Sequence, residues 1–121
     1  MTLTILLPWP ISSNARMGVT NGRAILSTAA RKWFDNAAQE LMLQRPKAIK
    51  GPVEIHIKLC SPTKRKWDVD NRAKVVLDSL VRNGIIEADD SSIVSKLTLE
   101  ATEGGTVGAL VTIRSISEEG A

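Results

Sequence analysis

Between Gly51-Pro52 and Pro62 the chain alternates Val53, Ile55, Ile57 and Leu59 with Glu54, His56 and Lys58. A period of two marks a strand half buried in a sheet. Upstream, Ala30, Trp33, Phe34, Ala37 and Leu41 recur at the i, i+3, i+4 spacing of one helix face, behind Ser27 or Thr28 as a cap and ahead of Pro46 as a stop. A helical period that gives way to a strand period across a Pro/Gly break calls for a sheet with a helix packed on it. At 121 residues the chain holds one such unit, large enough for a real core without staples.

The remaining segments extend that pattern. Thr2 to Leu7 is a short β-favouring run stopped by Pro8 and Pro10, and Asn21-Gly22 in the following loop marks a small hairpin. A second helix is predicted from about Asn71 to Arg82. Val75, Val76, Leu77, Leu80 and Val81 form its apolar side, and Asn83-Gly84 its stop. Two further strands are predicted near Ile93 to Ala101 and Val107 to Ile116, joined as a hairpin through Gly104-Gly105, and Ser117 to Ala121 should fray. The order β-α-β-α-β-β predicts an α/β (α+β) fold, a single compact domain over residues 1–121 with a mixed sheet and two main helices.

Several chemistries are excluded by what is scarce. There is no tyrosine, hence no tyrosine nucleophile. Cys60 is the only cysteine, which leaves no intrachain disulfide and no cysteine-based zinc site; it reads as a small apolar residue ending a strand. A single histidine, His56, rules out paired-histidine metal sites and most serine or cysteine triads. Glu54, His56 and Lys58 resemble a broken restriction-type nuclease site, but their spacing is wrong and they read as the solvent side of a strand. No apolar run approaches the ~20 residues of a membrane span, and the start lacks a signal-peptide layout, so a cytoplasmic setting and no membrane partner are expected. The net charge of +3 suits an anionic partner without specifying one.

The chemistry concentrates between Lys64 and Asp90. Lys64, Arg65 and Lys66 form a basic run, Asp68 and Asp70 follow, then Lys74, Asp78 and the pair Asp89-Asp90. Asp68 and Asp70, two apart, project to one side if the segment is extended, and Asp70, Lys74 and Asp78 share a stripe on a helix. A structural reading exists for each: Asp70 or Asn71 is a good helix cap, and Asp70 to Lys74 is an ordinary i, i+4 pair. Against it stands the repulsion of like charges, about 4 kcal/mol at ~4 Å and an effective dielectric of 20, which a divalent cation removes. Magnesium takes oxygen ligands and commonly uses one or two carboxylates plus substrate phosphate. A protein that only binds nucleic acid gains little from carboxylates in a cationic surface; one that cuts a phosphodiester with magnesium needs both. Arg16, Arg23 and Arg72 join the basic run as candidate phosphate contacts.

The segment Asp68 to Lys74, continued by Leu77-Asp78-Ser79-Leu80, Asn83-Gly84 and Asp89-Asp90, resembles the signature of the RusA family of Holliday-junction resolvases, often carried by phages and prophages. Leu7-Pro8-Trp9-Pro10 followed by Ser13-Asn14 is similar to that family's opening strand and loop. The resemblance implies a small α/β homodimer that nicks four-way DNA junctions with Mg²⁺, Mn²⁺ being a possible substitute, and that takes no small-molecule substrate. By position, Asp68, Asp70 and Asp90 match its metal-binding carboxylates, with Asp89 as the alternative to Asp90, and Lys74 matches its essential lysine. Two departures are local: Ile85 to Ala88 looks one residue longer than in some relatives, and Trp67 replaces a further basic residue. The rival from another class is a non-catalytic branched-DNA-binding module, a decayed resolvase.

Overall fold

The architecture is seen in a computed structural model that describes residues 1–116; the expected fraying of Ser117 to Ala121 lies outside the described residues. The strands are β1 (Thr2–Leu7), β2 (Met17–Thr20), β3 (Arg23–Leu26), β4 (Val53–Cys60), β5 (Val94–Thr102) and β6 (Gly108–Ser115); the helices are α1 (Thr28–Gln44) and α2 (Ala73–Arg82). Short 3₁₀ turns lie at Ser13–Ala15 and Val69–Arg72. β2 and β3 form a separate two-stranded sheet around Asn21-Gly22. Both turn residues have positive φ, 53° and 74°, the backbone that tight hairpin turns demand. The main sheet is mixed, in the order β1-β6-β4-β5.

β4 lies at the centre because its inward residues are the most completely apolar: Val53, Ile55, Ile57 and Leu59 are buried. Together with Ile5, Leu7, Val111 and Ile113 they form one core with α1 and α2. α1 buries the predicted stripe of Ala30, Trp33, Phe34, Ala37 and Leu41. Ser27 caps it by accepting the Ala30 N–H, and it ends on Arg45 in the left-handed conformation before Pro46. Cys60 is buried at the end of β4, as its apolar reading required. On the other sheet face Glu54 pairs with Arg114 and His56 with Glu100, confirming the solvent-side reading of that stripe.

The expected hairpin between the last two strands is not formed. β5 pairs only with β4, in parallel, and β6 lies on the opposite side of β4, antiparallel to it. α2 supplies the crossover that a parallel β4–β5 pair needs. The Glu103–Val107 connection then steps over the end of β4, roughly 9–10 Å across two strand spacings. The more apolar of the two strands takes the inner place: Ala109, Val111 and Ile113 of β6 are buried, whereas Leu97 of edge strand β5 is exposed. At the other edge, Gln44 covers β1, accepting from the Leu6 N–H and donating to its carbonyl at 2.8 and 2.7 Å.

Gly108 opens β6 with φ 130°, and a Cβ there would lie 2.4 Å from the Leu7 carbonyl oxygen. Gly108→Ala therefore combines backbone strain with a clash against backbone. A loss of about 2–6 kcal/mol is expected in urea unfolding, from roughly 1–3 kcal/mol for each effect. A change below the resolution of the titration would mean the β1–β6 register tolerates a shift.

Candidate active site and nucleic-acid interface

The acidic residues reach one end of α2 from two directions. Val69–Arg72 forms a 3₁₀ turn running straight into α2, so the Asp68–Asp70 segment is not a continuous extended run and the period-two alignment of its side chains does not apply. With three residues per turn, Asp68 instead faces Asn71, whose side-chain amide donates to Asp68 Oδ2 at 3.3 Å. The expected cap at Asp70 or Asn71 is also absent. Asp68 precedes the 3₁₀ turn and Arg72 precedes α2, and neither makes a side-chain cap. Asp70 is exposed and has no hydrogen bond or ion pair among the described residues.

Lys74, in the first turn of α2, binds the two segments together. Its ammonium donates to Asp89 Oδ2 at 2.9 Å and contacts Asp78 Oδ1 at 3.1 Å. These partners, Asp89 first and then Asp78, raise its pKa, so it remains a cation rather than a base. Asp78 is nearly buried, its side chain 14% exposed, and its second oxygen pairs with Arg16. Asp90 organises the turn into β5: its Oδ1 accepts from the Ser92 hydroxyl and N–H, and its carbonyl accepts from Ile93 and Val94. The Ser92 hydrogen bonds hold the Asp90 carboxyl below its usual range, which keeps it ionised.

Among the described residues no three His, Cys, Asp or Glu side chains are gathered closely enough to hold a metal ion. Asp68, Asp89 and Asp90 are each engaged by hydrogen bonds from neighbouring protein groups. The donor set still fits a hard cation in its chemistry. It is all carboxylate oxygen, most of it exposed, and magnesium needs only one or two such ligands beside water and phosphate.

The candidate phosphate contacts divide into two groups. Lys64, Arg65 and Lys66 are exposed and line a groove of about 1130 Å³ whose wall also includes Trp67 and Asp68. Arg23 is exposed at the start of β3 and does not border that groove. Arg16 and Arg72 turn inward. Arg16 holds Asp78, while Arg72 donates to the Pro10 carbonyl and lies 4.7 Å over the Trp9 ring. Burial lowers the Arg72 pKa from its ordinary value. The Ser13 hydroxyl adds a tie to the Asn71 carbonyl at 3.0 Å, so the loop after β1 braces the turn that carries Asp68 and Asp70.

A protein-family model described as Endodeoxyribonuclease RusA matches residues 8–114, which includes every acid of this corner together with Lys74 and the basic run. The chain belongs to the RusA family. It is 32% identical over 116 residues to the Crossover junction endodeoxyribonuclease RusA of Escherichia coli (strain K12), a match covering 92% of this chain and 94% of that one. The crossover junction endodeoxyribonuclease of Enterobacteria phage 82 is also 32% identical over the same shares, and that of Shigella sonnei (strain Ss046) 31%. The RusA-family match begins just after β1 and runs almost to the end of β6, so it takes in both helices and every strand but β1.

Two features of this RusA-family site were not foreseen from sequence. One is the chain Arg16–Asp78–Lys74–Asp89, for which the only sequence signal was the i, i+4 spacing of Lys74 and Asp78. The other is the contact of Trp9 with Trp67, ring centroids 5.0 Å apart and nearly perpendicular.

Proposed function

We propose that this chain nicks four-way DNA junctions in opposed strands, as a Mg²⁺-dependent endodeoxyribonuclease of recombination and repair. The observation that carries the reading is the continuity of one groove wall from Lys64, Arg65 and Lys66 through Trp67 to Asp68. A strand held along its phosphates by that basic run meets the carboxylates next. Such contacts position the backbone without reading sequence, and they weaken steeply with salt.

Asp68, Asp70 and Asp90, with Asp89 as the alternative to Asp90, are the residues that would hold the divalent ion. When bound, such an ion activates water and polarises phosphoryl oxygens. The protein's own contribution is positional. Lys74, steadied by Asp78 and Asp89, presents a fixed ammonium where negative charge builds on the phosphate being cut. Paired nicks follow from symmetry: a four-way junction is approximately two-fold, and a homodimer supplies two identical sites in that relation. Among the described residues no helix is long and apolar enough to cross a membrane, and the reading places the protein in the cytoplasm of a bacterial or phage-infected cell.

Asp78 supports Lys74 from outside the reacting groups. Asp78→Asn is expected to lower single-turnover nicking on the order of 10–100-fold, as loss of an orienting partner does. Junction affinity should hold, and stability should fall by about 1–3 kcal/mol because Arg16 loses its partner. Unchanged nicking would remove Asp78 from the mechanism.

The separation of the carboxylates in the described residues favours one rival, a branched-DNA-binding module without catalysis. A cleavage assay on a labelled four-way junction, with a linear duplex as control, divides the two. The resolvase reading expects paired nicks in the junction with Mg²⁺ or Mn²⁺ and none without. Binding with no nick in either metal would establish the module.

A further inference from the structure

Beside the large groove lies a second cavity of about 340 Å³, bordered by Trp9, Trp67, Arg72, Arg65 and Lys66. That volume is at the lower end of the range for small-ligand clefts. Two indoles and three cationic side chains line it beside the short Ser61–Thr63 stretch, and no carboxylate borders it. Trp67 belongs to both cavities and immediately precedes Asp68, about 3.8 Å away between Cα atoms. Trp9 and Trp67 meet edge to face at 5.0 Å and 86°, and Arg72 covers part of Trp9.

Both rings pack partly on the core, which accounts for their inward surface. It does not account for the rest. Trp33 is buried and donates its indole N–H to the Pro8 carbonyl at 3.2 Å. Trp9 and Trp67 keep exposed surface, and neither indole N–H has an acceptor among the described residues. An unstacked nucleobase meets each of these features. It offers a flat π-face to an indole, acceptor atoms to a free N–H, and a flanking phosphate to Arg65 or Lys66. Inside a duplex each base is stacked on both faces, whereas the pairs that flank a branch point lose a stacking neighbour, so a base there is drawn out at lower cost.

We propose that the Trp9–Trp67 cavity takes one unstacked nucleobase of branched DNA, from the strand whose phosphate runs along the groove toward Asp68. The proposal rests on the resolvase reading for its substrate and adds a contact that tells a branch from a continuous duplex. Base stacking on an aromatic side chain is the chief attraction, and Trp67 is its centre.

The test is photocrosslinking of the full chain, in EDTA, to four-way junctions carrying 5-iodouracil at successive nucleotides around the branch. The expected result is a crosslink from one branch nucleotide to the peptide holding Trp67, and none from the same base in linear duplex. Trp67→Leu, which keeps an apolar side chain without a π-face, should abolish that crosslink and weaken junction binding by about 5- to 150-fold. Trp67→Phe should stay within a few-fold of the parent and keep the crosslink. Absence of any Trp67 crosslink in the parent chain overturns the proposal, as does Trp67→Leu binding at parental affinity. Should Trp67→Leu fail to fold, the parent crosslink and Trp67→Phe decide the matter. Nicking by the parent with Mg²⁺, run on the same junctions, reports separately on the resolvase reading.

Discussion

Asp70→Asn is expected to lose junction nicking on the order of 10³-fold while binding the junction as tightly as the parent, or more tightly. The reasoning starts from what Asp70 does not do. Its carboxylate is exposed, caps no helix and makes no hydrogen bond or ion pair among the described residues. Asparagine has nearly the same shape, so the fold has little to lose, and urea unfolding should stay within about 0.5 kcal/mol of the parent. What the substitution removes is one negative charge from the corner where a cation would be held. That weakens the electrostatic stabilisation of the cut, which for a single well-placed group is worth about 10²–10³-fold or more. Affinity for DNA should not suffer, because removing a carboxylate also removes repulsion from the phosphates. If Asp70→Asn nicked at the parental rate, Asp70 would leave the metal set. If it unfolded instead, the residue would have a structural role.

The second large effect is at Lys74. Lys74→Ala should reduce single-turnover nicking by about 10²–10³-fold, with junction affinity changed only a few-fold. Half of the side chain is exposed, with 53% of its surface accessible, so its ion pairs contribute little to stability. Asp78 also keeps its pairing with Arg16. The fold should therefore survive while the chemistry does not. Lys74→Arg is expected to recover only part of the activity, since a planar guanidinium does not reproduce a compact ammonium held between two carboxylates. A nicking rate for Lys74→Ala within a few-fold of the parent would show that the ammonium serves only to tie Asp89 to α2.

How much of this was legible in sequence differs between elements. The buried face of α1 and the alternation of β4 were readable because each is a local periodic pattern with clear stops. The pairing of β5 and β6 was not. Gly104-Gly105 marks a change of direction, but a turn beside a partner strand and a turn over an intervening strand share the same local chemistry. Only the greater burial of β6 decides which strand lies inside. At the site, residue types were readable and conformations were not. Asp68 and Asp70 stood out as acids, whereas the 3₁₀ turn that begins between them depends on how the chain enters α2. Arginines gave the opposite difficulty. Nothing local distinguishes Arg16 and Arg72, which turn inward to Asp78 and Trp9, from Lys64, Arg65 and Lys66, which line the groove. The Trp9–Trp67 contact joins distant parts of the chain and left no periodic trace.

The most direct measurement is Mn²⁺ binding, followed by electron paramagnetic resonance, to the intact chain held on a four-way junction. The parent should bind the ion, and Asp68→Asn, Asp70→Asn and Asp90→Asn should each weaken it at least about tenfold, while Asp35→Asn on the exposed side of α1 should not. A larger loss in Asp89→Asn than in Asp90→Asn would transfer the ligand role within that pair. Equal Mn²⁺ affinity in the parent and in every one of these variants would contradict the claim that the two acidic segments share a divalent ion.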